Sequence, residues 1–324
     1  VYKRQVHDRE GSFPFENFAD IRSAGLPALV IPEAYDGWGA NLLETLMTIE
    51  ALAVGDGSTA LSLTMHMQTM GSAAESENWP PALMAHICRD AVENGALINA
   101  CATEPELGSP SRGGKPKTVA YPVADVNGAS EPESWSIFGR KNFASMSPVL
   151  DYIIIPATLQ DGSEDVARFI VPRSDKIEII ETWDALGMRS TGSHDIVLHD
   201  VIVPATNMLG RTDSAKPTKG GKVNAWFMLL ISASYLGAAI AARNTAARFA
   251  NQRVPTALGR PIATLENIQR RLGQSELLIH QARVQLYQAA ELWDRHPDKR
   301  VELGPTVVAA KVAATNNAIA AVDE

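Results

Sequence analysis

Between residues 96 and 209 the apolar side chains stop recurring at helical spacing and fall into short, β-branched runs. This change of period limits the fold more than any single motif does. An opening strand at 96–102 is followed by runs at 118–123, 134–138, 152–157, 167–171, 177–181 and 196–203. Asn127-Gly128, Asp161-Gly162 and the stretch 172–175 read as the turns between them. Short strands with no helices between them predict a compact β-barrel or sandwich rather than a parallel sheet with crossover helices. On either side the period is helical. Leu42, Leu43, Leu46, Met47, Ile49, Leu52 and Ala53 form one stripe. Further helices are expected at 60–70 and 81–93, with Pro81 tolerated in a first turn, and at 225–252, 262–293 and 307–324. The expectation is an α+β multidomain chain: an N-terminal helical domain at 1–95, a central β-domain at 96–210 and a C-terminal helical bundle at 211–324.

A length of 324 residues and 45% apolar content suit a globular protein of two or three packed layers. A net charge of −8 argues against a nucleic-acid partner, whose phosphates call for clustered cations. The two cysteines, Cys88 and Cys101, form no CxxC pair, so a reducing, cytoplasmic setting is expected, with no disulfide framework and no metal site. No HExxH spacing occurs among the seven histidines, and no stretch patterned like a signal peptide opens the chain. The first residue is Val1, and the last segment keeps its helical period to Glu324 without a stop signal. That pattern is expected of a chain lacking its C-terminal part.

Three features have plainer explanations than their motifs imply. Gly55-Asp56-Gly57-Ser58-Thr59-Ala60 matches a loose GxGxxA, with Glu75 near the place of a ribose-binding acid. A dinucleotide fingerprint needs a strand before its glycines, and here an amphipathic helix precedes them, so a turn between helices is expected. Residues 225–242 are uncharged and long enough to span a membrane, but Ser232, Ser234 and Gly237 and the following amphipathic stretch favour a helix buried in a bundle or subunit interface. His66, among Met65, Met67 and Met70, reads as a packed histidine with one hydrogen bond.

The chemical clue is where the first strand ends. Ala102-Thr103-Glu104-Pro105-Glu106-Leu107-Gly108-Ser109 turns from an apolar run into a loop rich in hydroxyls, with Pro105 ending the ladder. Such a loop offers hydroxyls and backbone N–H groups to something flat or anionic. Further on stand Gly139-Arg140-Lys141-Asn142-Phe143-Ala144-Ser145 and Leu186-Gly187-Met188-Arg189-Ser190-Thr191. The flanks add Gly25-Leu26-Pro27 with Pro32-Glu33 and Gly37-Trp38-Gly39, then His199-Asp200-Val201-Ile202-Val203-Pro204 with Leu209-Gly210, then Arg253 with Leu258-Gly259-Arg260-Pro261-Ile262. In this order the segments resemble the acyl-CoA dehydrogenase family of flavoproteins, over nearly the whole chain.

The resemblance implies FAD as cofactor, an acyl-CoA or similar small substrate, an electron-transfer partner or oxygen, and a homo-oligomer (dimer or tetramer). It places Ala102 and Thr103 on the flavin ring, and Ser109 at the pyrophosphate or the bound thioester. Phe143 and Ser145 take the places of the family's Trp and Thr beside the ring. Arg253 would meet the cofactor phosphates of a neighbouring subunit, a use suited to the guanidinium fork. Thr191 would touch the coenzyme A part of the substrate. In the implied reaction a carboxylate removes an α-proton while the β-hydrogen leaves as hydride. The family keeps that acid either on the helix where Phe227 and Met228 stand here, or beyond the position of Glu324, so no catalytic base is assigned. Pro110, Glu106 and Glu266 also depart from the family's usual residues and point to a divergent subgroup. A flavin-dependent monooxygenase on the same fold, which needs no thioester base, and a non-catalytic flavin-binding homologue are the alternatives.

Overall fold

Asn41 starts a helix because its side chain accepts from the Glu44 N–H while Glu44 reaches back to the Asn41 N–H, so two donors a helix start leaves open are satisfied together. That helix, α3 (Leu42–Gly55), belongs to a computed structural model that describes residues 2–106, 114–123, 132–212 and 223–324. The helices before it are α1 (Tyr2–Glu10) and α2 (Phe15–Ser23). After it come α4 (Gly57–Ser76) and α5 (Pro81–Glu93). Packing divides the chain into two compact units, with the boundary inside α4 between Thr64 and Met65.

The first unit contains α3, the start of α4, α6 (Ala225–Gln252), α7 (Glu266–Arg295) and α8 (Gly304–Asp323). Asp56 turns the chain between α3 and α4, accepting from the Ser58 and Thr59 N–H groups at 2.9 and 3.3 Å, so the glycine-rich hexapeptide is a helix cap and not a phosphate loop. Gly237 lets α6 and α3 approach, since a Cβ there would lie 2.4 Å from Ala53 Cβ and 2.6 Å from the Glu50 carbonyl oxygen. By length and hydropathy α6 could cross a membrane, but 61% of its apolar window is buried within the protein, and its hydrophobicity is that of a bundle core. Glu50, buried on α3, accepts a forked pair from Arg283 of α7 at 2.6 and 3.0 Å and a bond from the Tyr287 hydroxyl at 3.2 Å.

The second unit packs α2, α5 and the remainder of α4 with one mixed sheet. Its strands are β1 (Ile98–Ala100), β2 (Val119–Val123), β3 (Ser134–Ala144), β4 (Tyr152–Leu159), β5 (Val166–Pro172), β6 (Ile177–Ile180), β7 (His194–Pro204) and β8 (Met208–Thr212). The order is β6-β7-β3-β2-β4-β5-β8, with β1 joined to β4. Pairing is antiparallel except for β1 and β2, which both run parallel to β4. Ile137, Ile153, Ile155, Phe169, Val171 and Ile196 are fully buried in its core. Pro156 is tolerated in β4 because β1 pairs only as far as Ile154 and β2 starts at Thr158, leaving Pro156 in a gap in that ladder. In β3 a register shift at Gly139 bends the strand; its φ of 153° and a Cβ position 2.4 Å from Thr118 Oγ1 exclude any larger residue.

The helix–strand–helix order stands as expected, and most strand positions agree with the sequence reading. Strand β8 is the exception: residues 211 and 212, expected in the C-terminal helical domain, pair with β5 instead. Helix α1 was also not expected. The Asn127-Gly128 turn lies outside the described residues. His66 makes two hydrogen bonds and not one: Nε2 donates to the Pro27 carbonyl at 2.9 Å, and Nδ1 accepts from the Ile98 N–H at 3.2 Å.

Candidate functional site

The loop leaving β1 is held in place by a buried ion pair. Glu104, 3% exposed, accepts from Lys141 Nζ at 2.6 Å, from Thr118 Oγ1 at 2.7 Å, and from the Lys117 and Thr118 N–H groups at 2.7 and 3.0 Å. Lys141 has no exposure and gives a second bond to the Pro156 carbonyl at 2.8 Å, so the pair occupies the gap between β1 and β2. Burial acts to raise the Glu104 carboxyl, but these donors outweigh it and hold it below the usual carboxylate range. Burial pulls the Lys141 ammonium down, partly offset by Glu104. Both residues stand in segments that carry the family resemblance, but no local pattern in the sequence pairs them.

Along the end of β3 the Asn142 N–H donates to the Thr103 carbonyl at 3.0 Å, which sets the two chain segments side by side. Phe143 is not enclosed between them. Its side chain is 57% exposed, its backbone takes a φ of 56°, and its ring meets Trp183 edge to face at 6.0 Å. Trp183 is fixed by its own Nε1, which donates to the Met188 carbonyl at 3.0 Å. Next to this aromatic corner, Ser145 Oγ lies 2.9 Å from Ser193 Oγ, and Ser193 Oγ lies 2.7 Å from Thr191 Oγ1. Asn142 Oδ1 is buried and has no hydrogen-bond partner among the described residues. Trp183 and Ser193 were not singled out from sequence, although both flank the 186–191 segment, and Asn142 stands inside the 139–145 segment without a role of its own.

The structure thus brings Ala102, Thr103, Phe143, Ser145 and Thr191 into one unit, and links the last four by backbone and hydroxyl contacts. Thr191 is fully buried with its hydroxyl engaged, so in this arrangement it presents no surface to a substrate. Ser109 lies outside the described residues. Arg253 belongs to the other unit, where it ends α6 with an exposed side chain that makes no ion pair among the described residues. Phe227 and Met228 sit in the first turn of α6. Cys101, next to Ala102 in sequence, is buried and its thiol is pushed up to about 12, which removes it as a nucleophile. Among the described residues no group of acids, histidines or cysteines could hold a metal ion.

This donor set suits a flat conjugated ring better than an ion. It combines an exposed aromatic face with hydroxyls at an edge.

Comparison with known proteins gives the same direction. Residues 2–85, 99–201 and 227–324 match the N-terminal, middle and C-terminal domains of acyl-CoA dehydrogenase. YdbM of Bacillus subtilis (strain 168), whose name assigns it provisionally to the acyl-CoA dehydrogenases, is 37% identical over 317 residues, 98% of this chain and 80% of its own. The butyryl-CoA dehydrogenase of Megasphaera elsdenii superposes with a TM-score of 0.79 at 24% identity, over 98% of this chain and 80% of that one. The methanesulfinate monooxygenase MsuC of Pseudomonas fluorescens superposes with a TM-score of 0.80 at 20% identity, over 99% and 81%. At those identities the two structures speak for the fold alone. The family models and YdbM speak for more: the chain belongs to the acyl-CoA dehydrogenase family of flavin-dependent oxidoreductases.

Proposed function

We propose that the chain is an FAD-dependent oxidoreductase that removes the α-proton and β-hydride of an acyl thioester. The observation that carries this reading is Phe143, an aromatic ring left 57% exposed on a backbone with φ of 56°, beside the hydroxyl of Ser145. Strain of that kind in a bulky residue persists where surrounding structure imposes it, and it collects at ligand sites. When bound, the flavin supplies a two-electron acceptor for the hydride. Phe143, braced by Trp183, covers its face and excludes water. Ser145, Thr103 and the Ala102 backbone would meet its polar edge. By resemblance Ser109 reaches the pyrophosphate or the thioester, and Arg253, exposed and without an ion-pair partner in the described chain, meets phosphates held by a second copy. Thr191 acts beneath Ser145 and not on coenzyme A, because it is buried. Three domains near 1–95, 96–212 and 223–324 accommodate the three matched segments and keep β8 with the sheet. A cytoplasmic setting fits two free, buried cysteines.

One observation favours a second reading. Phe227 and Met228 carry no carboxylate, so neither can take an α-proton. A flavin monooxygenase, which uses oxygen and a small aromatic or sulfur substrate in place of a thioester, needs no such group.

The purified protein is expected to show a flavin absorption band that bleaches when an acyl-CoA is added without oxygen. A band that ignores thioesters, yet supports oxygenation of a small substrate after chemical reduction, establishes the monooxygenase instead. Absence of any bound flavin, even after incubation with FAD, rejects both.

A further inference from the structure

Trp183, the ring that braces Phe143, is held at two points. Its indole Nε1 donates to the Met188 carbonyl at 3.0 Å, and its backbone N–H donates to His194 Nδ1 at 3.2 Å. The second bond has a titratable acceptor. A carbonyl accepts at any pH, whereas an imidazole nitrogen accepts only while it carries no proton. Turning the ring over would set a C–H against the Trp183 N–H, which makes no other hydrogen bond among the described residues. The bond therefore fixes both the orientation of the ring and its tautomer, with Nδ1 bare and the proton on Nε2. Strand pairing puts His194 in place for this, since it opens β7 opposite Ala144, the residue after Phe143.

The surroundings of His194 keep it neutral. It is half-buried, and the solvation it loses on charging outweighs the pull of Glu181 and Asp195, so its value in the folded chain lies below 6.5. Asp195 is matched by Arg140 of β3 at 2.7 Å and accepts from the Thr182 hydroxyl at 2.8 Å. In the loop after Trp183, Asp184 is paired with Arg189 at 3.3 Å.

We propose that His194 is a positioning residue: neutral, it latches Trp183 and through it the Phe143 ring, and on taking up a proton it releases both. Protonation puts a hydrogen on Nδ1, so two donors then face each other and the bond is lost. Trp183 keeps only its indole bond, and the exposed Phe143 ring loses its brace. Resting on the flavin reading above, the consequence is a grip on the cofactor that is full at neutral pH and weakens as pH falls through the His194 value.

Two signals from the full chain, with no ligand added, test the latch. One is the NMR titration of the His194 ring. The other is the protection of the Trp183 amide hydrogen against exchange, corrected for the intrinsic rate at each pH. Both are expected to change with one midpoint, below 6.5. Affinity for added FAD is expected to fall about tenfold across the same interval, as for one lost hydrogen bond. His194→Asn, whose amide oxygen accepts without titrating, should keep the wild-type affinity at pH 7 and flatten the profile. His66 also titrates and is retained in that variant, so the flattening belongs to His194. His194→Leu, with no acceptor, should bind FAD about tenfold more weakly than wild type at pH 7 and lose little more in acid. Trp183 protection that stays constant while the His194 ring titrates overturns the latch and leaves the flavin reading intact, as does a His194→Asn profile that follows wild type. If His194→Leu does not fold, the exchange measurement on wild type decides. A wild-type protein that takes up no FAD overturns the flavin reading, and exchange at Trp183 then decides the latch by itself.

Discussion

At Phe143 the usual ranking of residues reverses. A φ of 56° strains any side chain with a Cβ by roughly 1–2 kcal/mol and leaves glycine untouched. With the ring 57% exposed, little burial energy offsets that strain, and the contact with Trp183 is a single edge-to-face pair. Phe143→Gly is therefore expected to unfold later than Phe143→Ala by about 1 kcal/mol in denaturant titrations, the opposite of what an extended strand normally shows. Both variants should lose flavin affinity by at least about tenfold, since a wall that buries an aromatic face contributes about 1–2 kcal/mol. Phe143→Ala proving the more stable would mean that the backbone strain is not there. Unchanged flavin affinity in both would remove Phe143 from the cofactor site.

The loop after β1 is an element held by charge, not by apolar packing. Lys141→Met leaves Glu104 buried with one partner removed, and a loss of about 3–5 kcal/mol is expected by thermal or denaturant unfolding. The double variant Glu104→Gln with Lys141→Met should recover much of it, because no unpaired charge then remains buried. A double variant less stable than the single one would show that the pair is worth more than its removal. This pair also marks how far the sequence can be read. Strand and helix positions were legible because β-branched runs and 3.6-residue stripes report burial locally, and the Thr103, Phe143 and Ser145 segments because their order is specific. Glu104–Lys141 and the Ser145–Ser193–Thr191 chain join residues 37 and 48 positions apart, and no local pattern encodes such distant partners. Strand β8 was missed for the same reason. Met208-Leu209-Gly210-Arg211-Thr212 has little strand character of its own and is ordered by pairing with β5.

At the scale of the whole molecule, two groups connect the chain's chemistry to its assembly and its range of pH. Along α8, Val312, Ile319 and Val322 are 46, 64 and 56% exposed at heptad-like spacing, a stripe expected of a helix that meets a second copy. Ile319→Asp should shift the sedimenting species to lower mass, and a wild-type protein that is monomeric at micromolar concentration would refute that. His66 gives the second unit a dependence on pH. It joins α4 to the Pro27 carbonyl and to the start of β1 inside the second unit, and its burial is complete. Desolvation lowers it from 6.5 to about 4, with the bond to Pro27 acting in the other direction. Because Nδ1 accepts from the Ile98 N–H, protonation would both charge a dry site and break a strand-end hydrogen bond. Between those two values the unfolded chain holds a proton that the folded one refuses, so stability falls as pH drops through 6.5 and levels off below about 4. At about 1.36 kcal/mol for each unit of pH across that interval, the full loss is about 3 kcal/mol. His66→Gln is expected to be less stable than wild type at pH 7 yet to lose less between pH 7 and 4, read as the change in unfolding free energy of the β-sheet unit. Parallel pH profiles for the two proteins would show that His66 protonates freely in the folded state, and would sink this account of its burial.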